Sequence, residues 1–473
     1  MPRNSSTSLS SCIIASGTLD SHVVWGAESS ATWEDLATGN LFHYRADDYR
    51  GRSVVLATVD PFAAVAAMIQ LDGIARRIVL YPPDLSFEHI AFVAETAAAD
   101  FIVTDQAVPE AIRSRIECLA PRIAPSGRQA AGEDVVSGTH HRASQFETEW
   151  VLLTSGTTGL PKLTVHTLAS LAGAIERKAS ASPSIVWSTF YDIRRFGGLQ
   201  IFLRAALTGT SLVLKGAKEP TADFLGRAGA QGVTHISGTP SHWRGALMSD
   251  SAYRIAPEYV RLSGEIADQG ILNHLRLQYP QAKLAHAFAS TEAGVAFEVN
   301  DGLMGFPADV LAQNPSVEMK VESGTLRVRS DRTAVCYLGR ERQPLKDGEG
   351  YVDTGDLLEL RAGRYYFTGR EDGTINVGGL KVHPEEVEAV INRHPQVSMS
   401  LVRMKKSPIT GAIVIADVVL KTPQSVPDGT TAIERNIMQF CRGELALHKV
   451  PASINFVPAL AVAETGKLVR RHA

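Results

Sequence analysis

Cysteine is scarce in this chain of 473 residues: Cys12, Cys118, Cys336 and Cys441 are scattered, and none forms a CxxC pair. Such spacing supports neither a zinc site nor a disulfide framework, and a reducing, cytoplasmic setting is expected. Charge of one sign is also nearly lacking, with 47 Lys+Arg against 50 Asp+Glu and a formal net charge of −3. That balance gives no electrostatic reason to expect nucleic acid or an anionic membrane as partner. No apolar run reaches the roughly 18–20 residues that a transmembrane helix needs, so no membrane span is expected. The opening Met1-Pro2-Arg3-Asn4-Ser5-Ser6 is polar and lacks the apolar stretch of a signal peptide, so it reads as a frayed end. His140-His141 are neighbours in a polar stretch and read as solvated loop residues rather than one site.

What is present is an ordinary apolar content of 44%, enough for a sizeable core, in a chain too long for a single one. The first third alternates strand-like and helix-like pieces. Ser53 to Thr58, Ile78 to Tyr81 and Phe101 to Asp105 read as buried strands, while Pro61 to Leu71 and His89 to Ala99 read as helices. Alternation of this kind predicts a parallel α/β sheet. Pro121 to Ser144 is polar and rich in Gly and Ser, and reads as a loop. Trp150 to Leu153 reads as a strand, and Thr167 as the cap of a helix carrying Leu168, Leu171, Ala172 and Ile175. From Val317 to Cys336 the pattern turns to β. Beyond the charged, glycine-bearing Gly369-Arg370-Glu371-Asp372-Gly373, Pro384 opens a helix, Ala412 to Leu420 is a strand, and Ile433, Ile437, Phe440 and Cys441 mark a second helix. The fold class expected is α/β. A large N-terminal domain of α/β layers with a β-rich subdomain would span 1–370, and a small mobile α+β domain 371–473.

The densest chemical signal is Thr154-Ser155-Gly156-Thr157-Thr158-Gly159-Leu160-Pro161-Lys162, directly after an apolar strand. Glycines let backbone N–H groups approach oxygen, hydroxyls donate further hydrogen bonds, and a lysine adds point charge, which together suit a polyphosphate. The Walker A pattern fails here, because Pro161 precedes Lys162 and Leu163 follows it; Gly466-Lys467 fails it as well. Taken alone, the run reads equally as a turn without a ligand.

Further segments accompany it in order: Phe288-Ala289-Ser290-Thr291-Glu292, Tyr351 to Asp356, Phe367-Thr368-Gly369-Arg370, Val377 to Glu388, and Glu464-Thr465-Gly466-Lys467. With the loop they resemble the adenylate-forming superfamily, which takes in acyl- and aryl-CoA ligases, free-standing adenylation domains of peptide synthetases and beetle luciferase. The likeness spans essentially the whole chain.

The resemblance implies roles residue by residue. Thr154, Ser155, Gly156, Thr157, Thr158 and Gly159 would cradle the β- and γ-phosphates of ATP, with Lys162 adding charge. Glu292 would hold Mg²⁺, a hard ion suited to carboxylate and phosphate oxygens; without the resemblance it reads as a solvated acid at a helix start. Thr291 would donate to the α-phosphate. Asp356 would accept the ribose hydroxyls and Arg370 would reach ribose or phosphate; their bland readings are a turn aspartate and a boundary ion pair. Lys467 would neutralise the charge that grows at the α-phosphate and the substrate carboxylate. Asp372 falls at the family's hinge, and Gly378-Gly379 where a pantetheine arm enters.

The chain departs from the family around the acyl pocket. Phe288-Ala289 replaces Tyr-Gly, which keeps a ring for adenine stacking and adds a methyl that would shorten the pocket. Asp192 would pair with an amine or hydroxyl of the acid, or locally with Arg194 or Arg195. Ser263-Gly264-Glu265 falls on the pocket lining, with Glu265 an unusual acid there. The function expected is ATP-dependent activation of a small to medium carboxylic acid to an acyl-adenylate, followed by transfer to the thiol of CoA. One alternative is a free-standing adenylation enzyme that loads an acyl carrier protein's phosphopantetheine. Another is a nucleotide- or adenylate-binding protein competent in one half-reaction only. The reading also allows a homodimer.

Overall fold

The computed structural model describes residues 8–17, 21–38, 46–120, 146–154, 160–176, 184–339, 345–407, 411–421, 427–461 and 468. The expected loop over Pro121 to Ser144 lies outside them.

The strands expected in the first third form one sheet of seven. Its spatial order is Cys336–Leu338, Lys162–His166, Glu149–Thr154, Arg77–Leu80, Ser53–Leu56, Phe101–Val103, Glu117–Leu119. From Glu149–Thr154 to Glu117–Leu119 the pairing is parallel. All residues of Ser53–Leu56 and Arg77–Leu80 are buried, as expected for strands covered on both faces. A second sheet of eight runs Gly294–Val299, Lys283–Ser290, Tyr259–Ser263, His235–Gly238, Val186–Thr189, Ser211–Val213, Val23–Trp25, Ser30–Thr32. It is parallel except at its two ends.

The helix Pro61–Leu71 forms as its sequence predicts. Asp60 accepts from the amides of Phe62 and Ala63 at 3.0 and 3.3 Å, and Pro61 sits where no intrahelical donor is needed. Alanines let it pack tightly on every side. It shares one buried cluster with Phe202 of the helix Phe196–Thr208, with Leu56, Ile78 and Leu152 of the first sheet, and with Val24 and Leu212 of the second. Helices therefore fill the space between the two sheets, the layered arrangement of an α/β fold. The expected helix over His89 to Ala99 is shorter, Ile90–Thr96 after a 3₁₀ turn at Phe87–His89, because Ala98 takes a left-handed φ of 46°.

The β-rich part is an antiparallel sheet in the order Phe306–Pro307, Arg364–Arg370, Val352–Arg361, Thr325–Ser330, Val317–Glu322. Its core, with Phe306, Leu326, Val328 and Val352, also takes in Phe297 from the edge of the eight-stranded sheet. After the 3₁₀ turn Glu371–Gly373 come a hairpin, Ile375–Val377 with Leu380–Val382, the helix Pro384–Ile391, a three-stranded sheet and the helix Pro427–Glu444. Ile375, Val387, Val402, Ala416, Ile437 and Ile454 belong to a hydrophobic cluster drawn from these late elements alone. No helix among the described residues is long and apolar enough to cross a membrane.

Candidate active site

Strands of both parallel sheets end in one region, at their carboxyl ends, where open α/β sheets bind ligands. Glu149–Thr154 and Lys162–His166 are antiparallel neighbours, and Thr154 lies opposite Lys162. The intervening Ser155, Gly156, Thr157, Thr158 and Gly159 lie outside the described residues, as does Lys467. The base of the hairpin is held by Arg195, which donates to the carbonyl of Leu153 at 3.0 Å and pairs with Asp84 at 2.6 Å.

Glu292 is not at a helix start. It lies in the turn between Lys283–Ser290 and Gly294–Val299, half-buried. Its Oε1 accepts from the Tyr337 hydroxyl at 3.3 Å, and Thr154 Oγ1 lies 3.5 Å away. Two features fix the turn. The carbonyl of Glu292 accepts from Ala334 N at 2.9 Å. Gly294, at φ +73°, lets the chain pass so close that a Cβ there would stand 2.4 Å from the Arg332 carbonyl. His166 secures the neighbouring residue, its Nε2 lying 2.7 Å from the Thr291 carbonyl. A carbonyl only accepts, so Nε2 carries the proton and Nδ1 is left to face Ser170 Oγ at 3.0 Å. Burial lowers the His166 pKa to about 4, so the ring is neutral. Burial, with the Glu292 carboxylate beside it, pushes the Tyr337 phenol up, so that hydroxyl stays a neutral donor. Lys162 Nζ lies 5.3 Å from the centre of the Tyr337 ring. Tyr337 is paired to Thr164 across the sheet, which brings it to Glu292 from 45 residues away.

Asp356 and Arg370 face each other across the antiparallel pair Val352–Arg361 and Arg364–Arg370. Arg370 Nε also donates to Asp372 at 3.2 Å. Desolvation works against the guanidinium charge, but Asp356 and Asp372 outweigh it, with a smaller share from Glu292, and hold the Arg370 pKa above its ordinary value. Arg370 thus feels both Asp356 and Glu292. Phe288 is half-buried and stacks on Phe367 at 5.1 Å between ring centres and on Phe297 at 5.8 Å. Ala289 follows at a bulge in the pairing with Gly294–Val299, and packs against the main core.

The local partner expected of Asp192 is present in Arg194. Arg194 Nε donates to Oδ1 at 2.7 Å, Arg194 Nη2 to Oδ2 at 2.5 Å, and the Arg194 amide also to Oδ1. Burial alone would raise the carboxyl pKa, and Arg194 reverses that, so it lies below the usual range. Arg194 is itself fully buried, and also donates to the carbonyl of Thr58. Asp192 thus braces the loop before the helix Phe196–Thr208. Ser263 is buried and accepts from the Tyr191 hydroxyl through its carbonyl at 2.5 Å. Gly264 turns at φ +82°. Glu265 accepts from Ser241 N at 2.9 Å, from Ser241 Oγ at 3.0 Å, and from the amide of Leu468 at 3.2 Å. Asp372 lies exposed in the 3₁₀ turn after Arg370. Gly378 and Gly379 form the tip of the hairpin, at φ +59° and +89°, the pair of left-handed residues that a tight hairpin turn requires; both are exposed.

Sequence reasoning missed Tyr337 and His166, and read Arg195 only as a neighbour of Asp192, not as the partner of Asp84 and Leu153. None sits in a motif, and each acts through a partner far along the chain.

The paired strand ends Thr154 and Lys162 on one α/β sheet, Glu292 in the turn at the end of a second, and the Asp356–Arg370 pair on an adjoining β-sheet come together as the resemblance to the adenylate-forming enzymes implies. The chain belongs to that class: it matches the AMP-binding enzyme family over residues 54–338 and the AMP-binding enzyme C-terminal domain over residues 386–467. It is 30% identical over 256 residues to the 2-succinylbenzoate–CoA ligase of Salmonella typhimurium, which covers 53% of each chain. It is 26% identical over 420 residues to the p-hydroxybenzoic acid–AMP ligase of Mycobacterium tuberculosis, covering 82% of this chain and 56% of that one. The chain thus spans about half the length of these curated relatives. Among solved structures, an anthranilate CoA ligase in complex with anthranoyl-AMP shares the fold with a TM-score of 0.79 at 17% identity, over 98% of this chain and 95% of that one.

Proposed function

We propose that this protein activates a small to medium carboxylic acid with ATP and passes the acyl group to a pantetheine thiol, with CoA as the leading acceptor. A carboxylate oxygen attacks the α-phosphorus, the bond to the β-phosphate breaks, and pyrophosphate leaves. The thiol then attacks the acyl carbon, the mixed anhydride opens, AMP leaves, and the thiol proton passes to solvent. The observation that carries this reading is the convergence of Thr154, Lys162, Glu292, Tyr337 and Arg370 at the paired ends of the strands Glu149–Thr154 and Lys162–His166.

The first step needs positioning and positive charge rather than a general base, because the carboxylate is already a nucleophile. Ser155 to Gly159 would bind the β- and γ-phosphates, with Lys162 adding charge. Asp356 would accept the ribose hydroxyls, and Phe288 would offer a ring edge to the adenine. Thr291 would orient the α-phosphate. Glu292 would hold Mg²⁺, and its donor set fits a hard ion: one carboxylate with two neutral hydroxyls nearby, the phosphate oxygens of ATP supplying the rest. Magnesium, when bound, screens the phosphate charge and polarises the phosphorus. Residues 371–473 would form a unit of their own that turns about Asp372, exchanging Lys467 for the Gly378-Gly379 face between the two steps. The separate hydrophobic cluster of the late elements supports that division.

An aromatic acid is the first class to try. The relatives named above act on 2-succinylbenzoate and p-hydroxybenzoic acid, and beside Ser263 the Tyr191 ring meets His242 edge-on while Phe190 stacks on His242. The acceptor has a second reading, loading of a carrier protein's phosphopantetheine, since the acid–AMP ligase relative is named for the adenylate and not for CoA. The test offers a panel of benzoates and aliphatic acids with ATP and Mg²⁺, and follows pyrophosphate with and without CoA. Acid-dependent release with a CoA thioester as product is expected. Release without any CoA-dependent product would shift the acceptor to a carrier protein, and no release with any acid from folded protein would overturn the proposal.

A further inference from the structure

Glu265 follows the strand Tyr259–Ser263 and is held in one pose by its neighbour element. Its Oε2 accepts from the Ser241 amide at 2.9 Å and its Oε1 from the Ser241 hydroxyl at 3.0 Å. Ser241 is in the first turn of the helix Pro240–Leu247, where amides lack intrahelical partners and favour a carboxylate. With the carboxylate fixed this way, Oε1 also accepts from the backbone amide of Leu468 at 3.2 Å, from 203 residues along the chain. Leu468 is the covalent neighbour of Lys467.

The same stretch of chain reaches the late elements a second time. Asp268, three residues on, caps the helix Gln269–Gln278 through Ile271 N at 3.1 Å and pairs with Arg244, both side chains being buried. Arg244 Nη1 in turn donates to the carbonyl of Ser398 at 3.3 Å, in the strand Val397–Ser407. Beside it, Gly270 allows a close approach, since a Cβ there would lie 3.2 Å from the Asn392 carbonyl. Two acids of one short loop, each locked by a partner on the helix Pro240–Leu247, therefore both end on the C-terminal part of the chain.

We propose that Glu265 is a positioning residue for acid activation: it clasps the Leu468 amide and so holds the peptide that carries Lys467 at the Ser263-Gly264 rim, with Arg244 on Ser398 as the second point of the clasp. The inference rests on the adenylate chemistry proposed above. It explains why an acid stands at the pocket rim when the substrate is itself an anion. The carboxylate is turned to Ser241 and Leu468, where it accepts backbone hydrogen bonds. A bond to the charged acceptor exists only while the C-terminal part lies in this orientation, so the clasp favours that orientation and must open for the thiol step.

The test uses the full chain and the variants Glu265→Ala, Glu265→Gln and Ser241→Ala. It reads amide hydrogen exchange at Leu468 in the unliganded protein, acid-dependent pyrophosphate release, and thioester formation from supplied acyl-adenylate. Losing a charge-assisted bond should speed Leu468 exchange and slow pyrophosphate release by roughly tenfold to a hundredfold in Glu265→Ala, with thioester formation within about threefold of the parent. Glu265→Gln keeps one acceptor oxygen but turns its NH2 toward either the Ser241 or the Leu468 amide, so it should recover only part of both. Ser241→Ala keeps the amide contact and should fall between. Unchanged Leu468 exchange in Glu265→Ala would overturn the clasp whatever the activities, and so would equal losses in both half-reactions. If no form releases pyrophosphate with any acid, the adenylate chemistry fails, while the exchange measurement still decides the clasp.

Discussion

His242 shows how one side chain can serve a helix end and an aromatic wall at once. It is the third residue of the helix Pro240–Leu247. Its Nδ1 accepts from the Thr239 amide at 3.2 Å while Thr239 Oγ1 accepts from the His242 amide at 3.0 Å, a reciprocal capping box. The ring stacks on Phe190 with centres 5.4 Å apart. Burial, with Lys215 adding to it, lowers its pKa from 6.5 to about 3. The sign follows directly. Below about pH 6.5 the unfolded chain takes up a proton at this ring that the folded chain refuses, so stability drains as the pH falls, and the drain stops near pH 3. His242→Gln keeps a capping-box acceptor and removes the titration. Denaturant unfolding at stepped pH should show the variant losing less stability than the parent between pH 6.5 and 4, by up to about 1.4 kcal/mol per pH unit. Parallel curves for the two proteins would show that the ring is not held neutral. Nothing in the sequence marked this histidine, because its signal is the pair Thr239 and His242 at capping-box spacing with histidine in place of the usual glutamate or glutamine.

At the scale of elements, local chemistry made most of the fold readable. Asp60-Pro61 starts a helix and Thr167 another, both by capping, and the buried strands appear as unbroken apolar runs. The loop from Asp192 to the helix Phe196–Thr208 was not readable. Its shape comes from Arg194 reaching back to Thr58, 136 residues away, and no periodicity reports such a contact. Gly198 shows how tight the result is: a Cβ would stand 2.2 Å from the Asp192 carbonyl. Gly245, exposed in the helix Pro240–Leu247, has nothing within 4 Å of its own missing Cβ. The two glycines therefore predict opposite signs. Gly198→Ala forces backbone apart and should destabilise by about 1–3 kcal/mol or more. Gly245→Ala only removes backbone freedom and should stabilise by about 0.5–1 kcal/mol. Thermal melts of both variants check this, and a Gly198→Ala protein as stable as the parent would mean that the Asp192 loop can yield.

For the whole molecule, the residues of the candidate site are spread from Thr154 to Arg370 over three sheets, and what joins them is the meeting of strand ends. The motifs were legible because each needs a short string of fixed residue types. Their meeting was not, because it depends on Tyr337 pairing beside Lys162–His166 and on the turn that Gly294 permits. The proposed division of labour makes the molecule testable as a unit. If one site serves two reactions by exchanging the face presented by residues 371–473, then Lys467 matters only while it faces the α-phosphate. Lys467→Ala should lower acid-dependent pyrophosphate release on the order of a hundredfold or more, the scale of removing one group aimed at developing charge. Thioester formation from supplied acyl-adenylate should survive within a few-fold, since that step breaks the acyl C–O bond rather than a bond to phosphorus and would use the Gly378-Gly379 face. Single-turnover measurements of each half-reaction separate the two. Equal loss in both would mean that Lys467 supports the site statically, and the C-terminal residues would then be a fixed wall rather than an exchanged one.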